Sequence, residues 1–134
     1  MGQNFFDTNV IIYLTDQRDS TRLVSRGLIK AGGVVSVQVL NETTRVLRGR
    51  KFNLGWDHVD DVLNAIKSTC EVVPLTLATQ ERAVAYAKRY MFGIHDASII
   101  AAAVHAGCTT LYTEDMQNGQ VIDGLTIRNP YRRA

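Results

Sequence analysis

The sequence predicts an α/β fold in which a mostly parallel sheet is covered by helices on both faces. Two observations carry that expectation. Short β-branched or aromatic runs alternate along the chain with longer stretches of helical periodicity, the pattern of parallel strands joined by crossover helices. One helical stretch, Ala97 to Val104, is apolar nearly all round, as a buried helix is. A third observation is chemical. Asp7, Glu42, Asp96 and Asp115 each stand near a strand end or a helix start. In a parallel sheet those positions share the carboxyl edge, where open α/β sheets bind their ligands.

Taken in order, residues 3–6 read as a first strand, and the apolar stretch 9–14 begins a short helix after a turn at Asp7. Leu23, Val24, Leu28 and Ile29 form a helical stripe that stops at Gly32-Gly33, a helix-ending signal. Val34 to Val37 is a short β-branched strand, and a second long helix starts at about Gln38. Trp56, Val59, Val62 or Leu63, and Ile66 recur at three- and four-residue steps, so 56–68 is expected to be amphipathic with Trp56 in the core. Glu71 to Val73 is a strand closed by Pro74. Thr76 then caps a helix running to about Tyr90. His95-Asp96 opens the apolar helix, which ends at Ala106-Gly107. Thr109 to Tyr112 is a strand, 113–120 a polar loop, and Leu125 to Ile127 a last strand. No repeat, linker or low-complexity segment interrupts the pattern, and residues 1–134 are expected to form a single domain.

Composition narrows the class. A hydrophobic share of 46% with 21% charged residues is that of a globular protein. The longest apolar runs fall far short of a membrane span, and Asp7 breaks the N-terminal stretch that a secretory signal needs. A cytoplasmic, reducing setting is therefore expected, with Cys70 and Cys108 as free thiols in or near the core. Fifteen basic against thirteen acidic residues give a net charge of +2, which neither marks nor excludes a nucleic-acid binder.

Each acid has an ordinary explanation when taken alone. Asp96 suits a helix cap, Glu42 a solvated helix face, Asp7 an Asx-turn with Asn9, and Asp115 general loop polarity. Their placement on one sheet edge is what those explanations leave out. Carboxylates gathered in one cleft repel one another and lose acidity unless a cation neutralises them. An oxygen-only set without His or Cys suits magnesium or manganese rather than zinc, and the chemistry it suits is in-line displacement at phosphorus.

Four ordered segments then resemble a known family. Phe6-Asp7-Thr8-Asn9-Val10-Ile11-Ile12-Tyr13 is similar to the opening motif of PIN-domain ribonucleases. Ser36 to Glu42, Gly93 to Ala103, and Thr113-Glu114-Asp115-Met116 resemble the second, third and fourth motifs. The resemblance spans roughly the whole chain. It implies a three-layer α/β/α sandwich with a mostly parallel central sheet, and a magnesium- or manganese-dependent endoribonuclease using one or two ions. Asp7, Glu42, Asp96 and Asp115 would then hold the metal and the attacking water. Thr8 and Asn9 would shape the first turn, and Thr113 would orient Asp115. Some members carry a further acid where this chain has Asn118, and Glu114 is the neighbouring residue that can partly substitute. Many small bacterial members are VapC-like toxins, homodimers inhibited by a small antitoxin, and both partners are expected here beside the RNA substrate.

Arg45, Arg48, Arg50 and Lys51 follow Glu42 and are candidates for holding RNA phosphates, against the plainer reading of a solvated helix face. Arg128, Arg132 and Arg133 read as a solubilising tail, and His95 as a positioning neighbour of Asp96. Two other functions stay open at this stage. One is a non-catalytic module that uses the same fold to bind RNA or protein. The other is phosphoryl transfer through an aspartyl-phosphate at Asp7, for which the expected second Asp is replaced by Asn9.

Overall fold

A computed structural model describes residues 3–132. Six strands, β1 (Gln3–Phe6), β2 (Gly33–Ser36), β3 (Cys70–Val73), β4 (Cys108–Tyr112), β5 (Val121–Ile122) and β6 (Leu125–Arg128), form one sheet in the order β3-β2-β1-β4-β6-β5. All neighbouring pairs are parallel except the β5–β6 hairpin. The helices are α1 (Thr8–Ile12), α2 (Asp19–Lys30), α3 (Val37–Arg48), α4 (Trp56–Thr69), α5 (Leu77–Tyr90) and α6 (Ile94–His105), with one 3-10 turn at Tyr13–Thr15. Helices α1 to α4 pack among themselves, and α5 packs on α6. Right-handed crossovers put the two groups on opposite faces, because the chain steps from β1 out to β3 and then returns to β4 on the other side of β1. This is the expected mostly parallel sandwich.

The core follows from that layering. Phe5 and Phe6 are adjacent in sequence and both fully buried, which a strand achieves only when both sheet faces are covered. In α6, Ala97 and Ile99 through Ala103 are all buried, so its even apolarity reflects contact on several sides. Gly33 lies where β2 runs tightly beside β1: a Cβ there would come within 2.6 Å of both the Asn4 carbonyl oxygen and Phe6 Cε2. Cys70 and Cys108 are free and buried. Burial pushes the Cys108 thiol up to about 11, which keeps it protonated and unreactive.

The structure departs from the sequence reading at three places. Val37 starts α3 instead of ending β2, because the Ser36 hydroxyl accepts the Val39 N–H at 3.3 Å and caps the helix one residue early. Strand β5 was not expected. Its hairpin turn is Asp123-Gly124 with φ of 48° and 83°, the left-handed pair that a two-residue type I′ turn requires. Trp56 is not in the core: it is the first residue of α4 and is 56% exposed. Val59 and Ile66 of the same stripe are fully buried, whereas Trp56 at the helix start is open to solvent with Arg48 over its ring.

Candidate functional site

Order in the sheet decides where a ligand can sit. Strands β1 and β4 are neighbours in space but their following connections diverge, which opens a crevice beyond their carboxyl ends. Asp7 is the first residue after β1, and its N–H donates to the Tyr112 carbonyl at 3.1 Å, tying it to the end of β4. Asp7 also caps α1, with Oδ1 accepting the Thr8 N–H at 2.7 Å. Capping and a place in the crevice are therefore compatible in one carboxylate.

Thr113 organises this corner. It is fully buried, and its hydroxyl donates to Asp7 Oδ2 at 2.8 Å. The same oxygen accepts the Asp115 N–H at 3.2 Å and the Asn9 side-chain amide at 3.2 Å. The Asn9 amide also donates to Asp115 Oδ2 at 2.9 Å. The sequence reading gave Thr113 the task of orienting Asp115. The structure has it do so through the backbone while its proton goes to Asp7.

Asp7, Glu42, Asp96 and Asp115 all line one cleft of about 950 Å³, together with Thr8, Asn9, Tyr13, Lys51, His95 and Glu114. Asp96 enters from the first turn of α6, whose N-cap is Gly93, so the plain capping role does not account for it. Burial raises the Asp7 pKa despite the hydrogen bonds from Thr113 and Thr8, and the charges of Asp115 and Asp96 raise it further. Burial also raises that of Asp96; His95 partly opposes this and Asp115 adds to it. Two acids made reluctant to ionise by burial and by neighbouring carboxylates favour a bound cation.

Among the described residues, however, no three His, Cys, Asp or Glu side chains are gathered closely enough to cage an ion. The four acids surround the cleft without converging on a point. Glu42 is directed to Arg45, at 2.5 and 3.2 Å from its two oxygens. The donor set nevertheless fits a hard cation. It consists of carboxylates, and the buried Thr8 Oγ1 and Asn9 Oδ1 beside them have no hydrogen-bond partner. Magnesium and manganese take such oxygens and complete their shells with water.

The other sequence candidates separate. Glu114 lines the cleft but is held by the Tyr13 hydroxyl at 2.5 Å. Burial and that carboxylate push Tyr13 up to about 12, so it remains a donor. Asn118 lies outside the cleft and accepts the Asn129 N–H at 2.8 Å, fastening the final segment. Among the four basic candidates, Lys51 lines the cleft. Arg45 is paired with Glu42, Arg48 lies over the Trp56 ring at 4.5 Å, and Arg50 is exposed. Arg128 and Arg132 are exposed, and Arg133 is outside the described residues. His95 pairs with Gln38 at 3.0 Å. Tyr13 and Arg18 are cleft residues that the sequence reading did not single out. Tyr13 sat inside an apolar run, and nothing local signalled its partner 101 residues away.

A family model describing the PIN domain matches residues 5–119. No curated protein sequence matches the chain. Among solved structures, a toxin–antitoxin complex from Klebsiella pneumoniae is similar at 22% identity, covering 97% of this chain and 99% of that one with a TM-score of 0.72. VapC20 of Mycobacterium tuberculosis, described as a sarcin-ricin loop cleaving toxin, is 20% identical over 81% of this chain and 86% of that one, with a TM-score of 0.64. VapBC2 of Rickettsia felis, solved with a DNA fragment from its promoter, is 19% identical over 94% and 97%, with a TM-score of 0.67. At these identities the likeness is one of fold. Among the described residues no helix is long and apolar enough to cross a membrane.

Proposed function

The chain belongs to the PIN-domain family, and from that premise we propose that it is a divalent-cation-dependent endoribonuclease, the toxin of a toxin–antitoxin pair. The observation that carries the reading is the cleft at the β1–β4 crevice, where Asp7, Glu42, Asp96 and Asp115, from four separate segments, line one space with two further carboxylates, Asp16 and Glu114. The solved structures of similar fold that are described as a toxin, or as a toxin–antitoxin complex, support the biological role.

Asp7, Glu42, Asp96 and Asp115 are the residues that would hold magnesium or manganese, one ion or two. When bound, the ion would supply an acidified water and compensate the charge of an in-line displacement at phosphorus. The chain's own contributions are specific. Thr113 fixes Asp7 from behind and the Asn9 amide fixes Asp115, so two of the acids are held before any substrate arrives. Glu42 has to exchange its contact with Arg45 for the ion, which leaves the Arg45 guanidinium available to an RNA phosphate beside Lys51. Tyr13 keeps Glu114 at the rim, next to that phosphate path. Hydrolysis in the cytoplasm, a homodimer and inhibition by a small antitoxin complete the reading.

Incubation with RNA in Mg²⁺ or Mn²⁺, beside an EDTA control, tests it. Cleavage by the wild-type protein is expected only with the ion, and Asp96→Asn should cleave far less. Equal cleavage in EDTA, or by Asp96→Asn, contradicts it. RNA binding without cleavage under any ion supports the non-catalytic module instead.

A further inference from the structure

The chain's one tryptophan is held out of the core beside the cleft, and the way it is held is informative. Arg48 lies over the Trp56 ring at 4.5 Å, and its Nη1 donates to the Leu54 carbonyl at 3.2 Å, which pins the guanidinium in place. The connection between α3 and α4 is itself closed by hydrogen bonds. The Asn53 N–H donates to the Gly49 carbonyl at 2.7 Å, and the Leu54 N–H to the Leu47 carbonyl at 2.9 Å. The same loop carries Lys51 with its ammonium 5.5 Å from the Phe52 ring centre, and Lys51, Phe52 and Leu54 all line the cleft. An ordered loop thus displays two aromatic rings, each beside a cation, leading outward from the acidic crevice.

We propose that Trp56, with Arg48 beneath it, is a stacking subsite for an unpaired base of the RNA strand leaving the cleft, with Phe52 and Lys51 next on the path inward. This rests on the nuclease reading and adds a subsite to it. Charge complementarity selects the occupant. Positive groups paired with flat rings suit a polyanion that also has π-faces, and an unpaired RNA strand offers both at every nucleotide. Trp56 is more than half exposed and Arg48 covers only one face of its ring, so the other face can accept a base.

Because Trp56 is the only tryptophan, its fluorescence reports this site alone. The wild-type protein in EDTA is titrated with a dye-labelled single-stranded oligoribonucleotide, with a duplex of the same length, and with an abasic strand of equal charge. Dye anisotropy measures binding independently of the indole. The expected result is quenching of Trp56 by the single strand only, and binding weakened roughly tenfold in Trp56→Ala but largely kept in Trp56→Phe. Binding with unchanged indole emission, or equal binding by Trp56→Ala, overturns the subsite and leaves the nuclease reading standing. No binding of any RNA in EDTA also overturns the subsite, while the nuclease reading stands or falls on cleavage with the ion. Emission that instead changes with protein concentration in the absence of RNA assigns the face to a protein partner and overturns the subsite.

Discussion

Asp7→Asn is expected to lower ion-dependent RNA cleavage by more than about 100-fold while leaving the chain folded, measured by single-turnover cleavage beside circular dichroism. Loss of a residue that merely orients a metal ligand typically costs about 10- to 100-fold, and the proposed ligand itself should cost at least that. The substitution also changes the dependence of stability on pH. The folded-state pKa of Asp7 is raised, chiefly by burial. The folded protein therefore holds the proton to higher pH than the unfolded chain does. The associated stability is fully present below the unfolded value, about 4, and is lost as pH rises through the raised folded value. In EDTA, wild type should thus gain stability relative to Asp7→Asn on acidification from neutral pH. A difference that is constant with pH contradicts that assignment.

Thr113→Val should lower cleavage about 10- to 100-fold and destabilise the protein by about 1–3 kcal/mol. Valine fills the same space, so the loss isolates the hydroxyl. Without it, Asp7 Oδ2 loses a donor, and the Asp115 N–H and Asn9 amide lose a shared acceptor. Urea denaturation measures the stability term. Thr113→Ser separates positioning from bulk, because it restores the hydroxyl and should recover most of the activity. Cleavage unaffected by Thr113→Val would mean that the Asp7 carboxylate needs no support from the Thr113 hydroxyl.

Much of the fold was legible because its signals are local. Period-two and period-3.6 apolar patterns, Thr76 and the glycines at 32 and 107 set most of the elements to within a residue or two. Asp123-Gly124 was an available signal for the β5–β6 hairpin, hidden because a two-residue strand is too short to show alternation. The exposure of Trp56 was not legible because helical spacing identifies a stripe but not how far along it burial extends. Within the site, the four acids could be read from their boundaries, and all four do line one cleft. Their pairings could not. Thr113 reaches Asp7 and Tyr13 reaches Glu114 across more than 100 residues, through a register that only the β1–β4 pairing creates. The Glu42–Arg45 contact is the exception, since three residues along a helix place both side chains on one face.

The proposed chemistry needs the four acids to act together on a cation, and calorimetric titration with Mn²⁺ at neutral pH tests that most directly. Wild type should bind saturably, and Asp7→Asn and Asp96→Asn should each bind at least tenfold more weakly. Absence of binding to the wild-type chain, or one affinity shared by all three proteins, would contradict it.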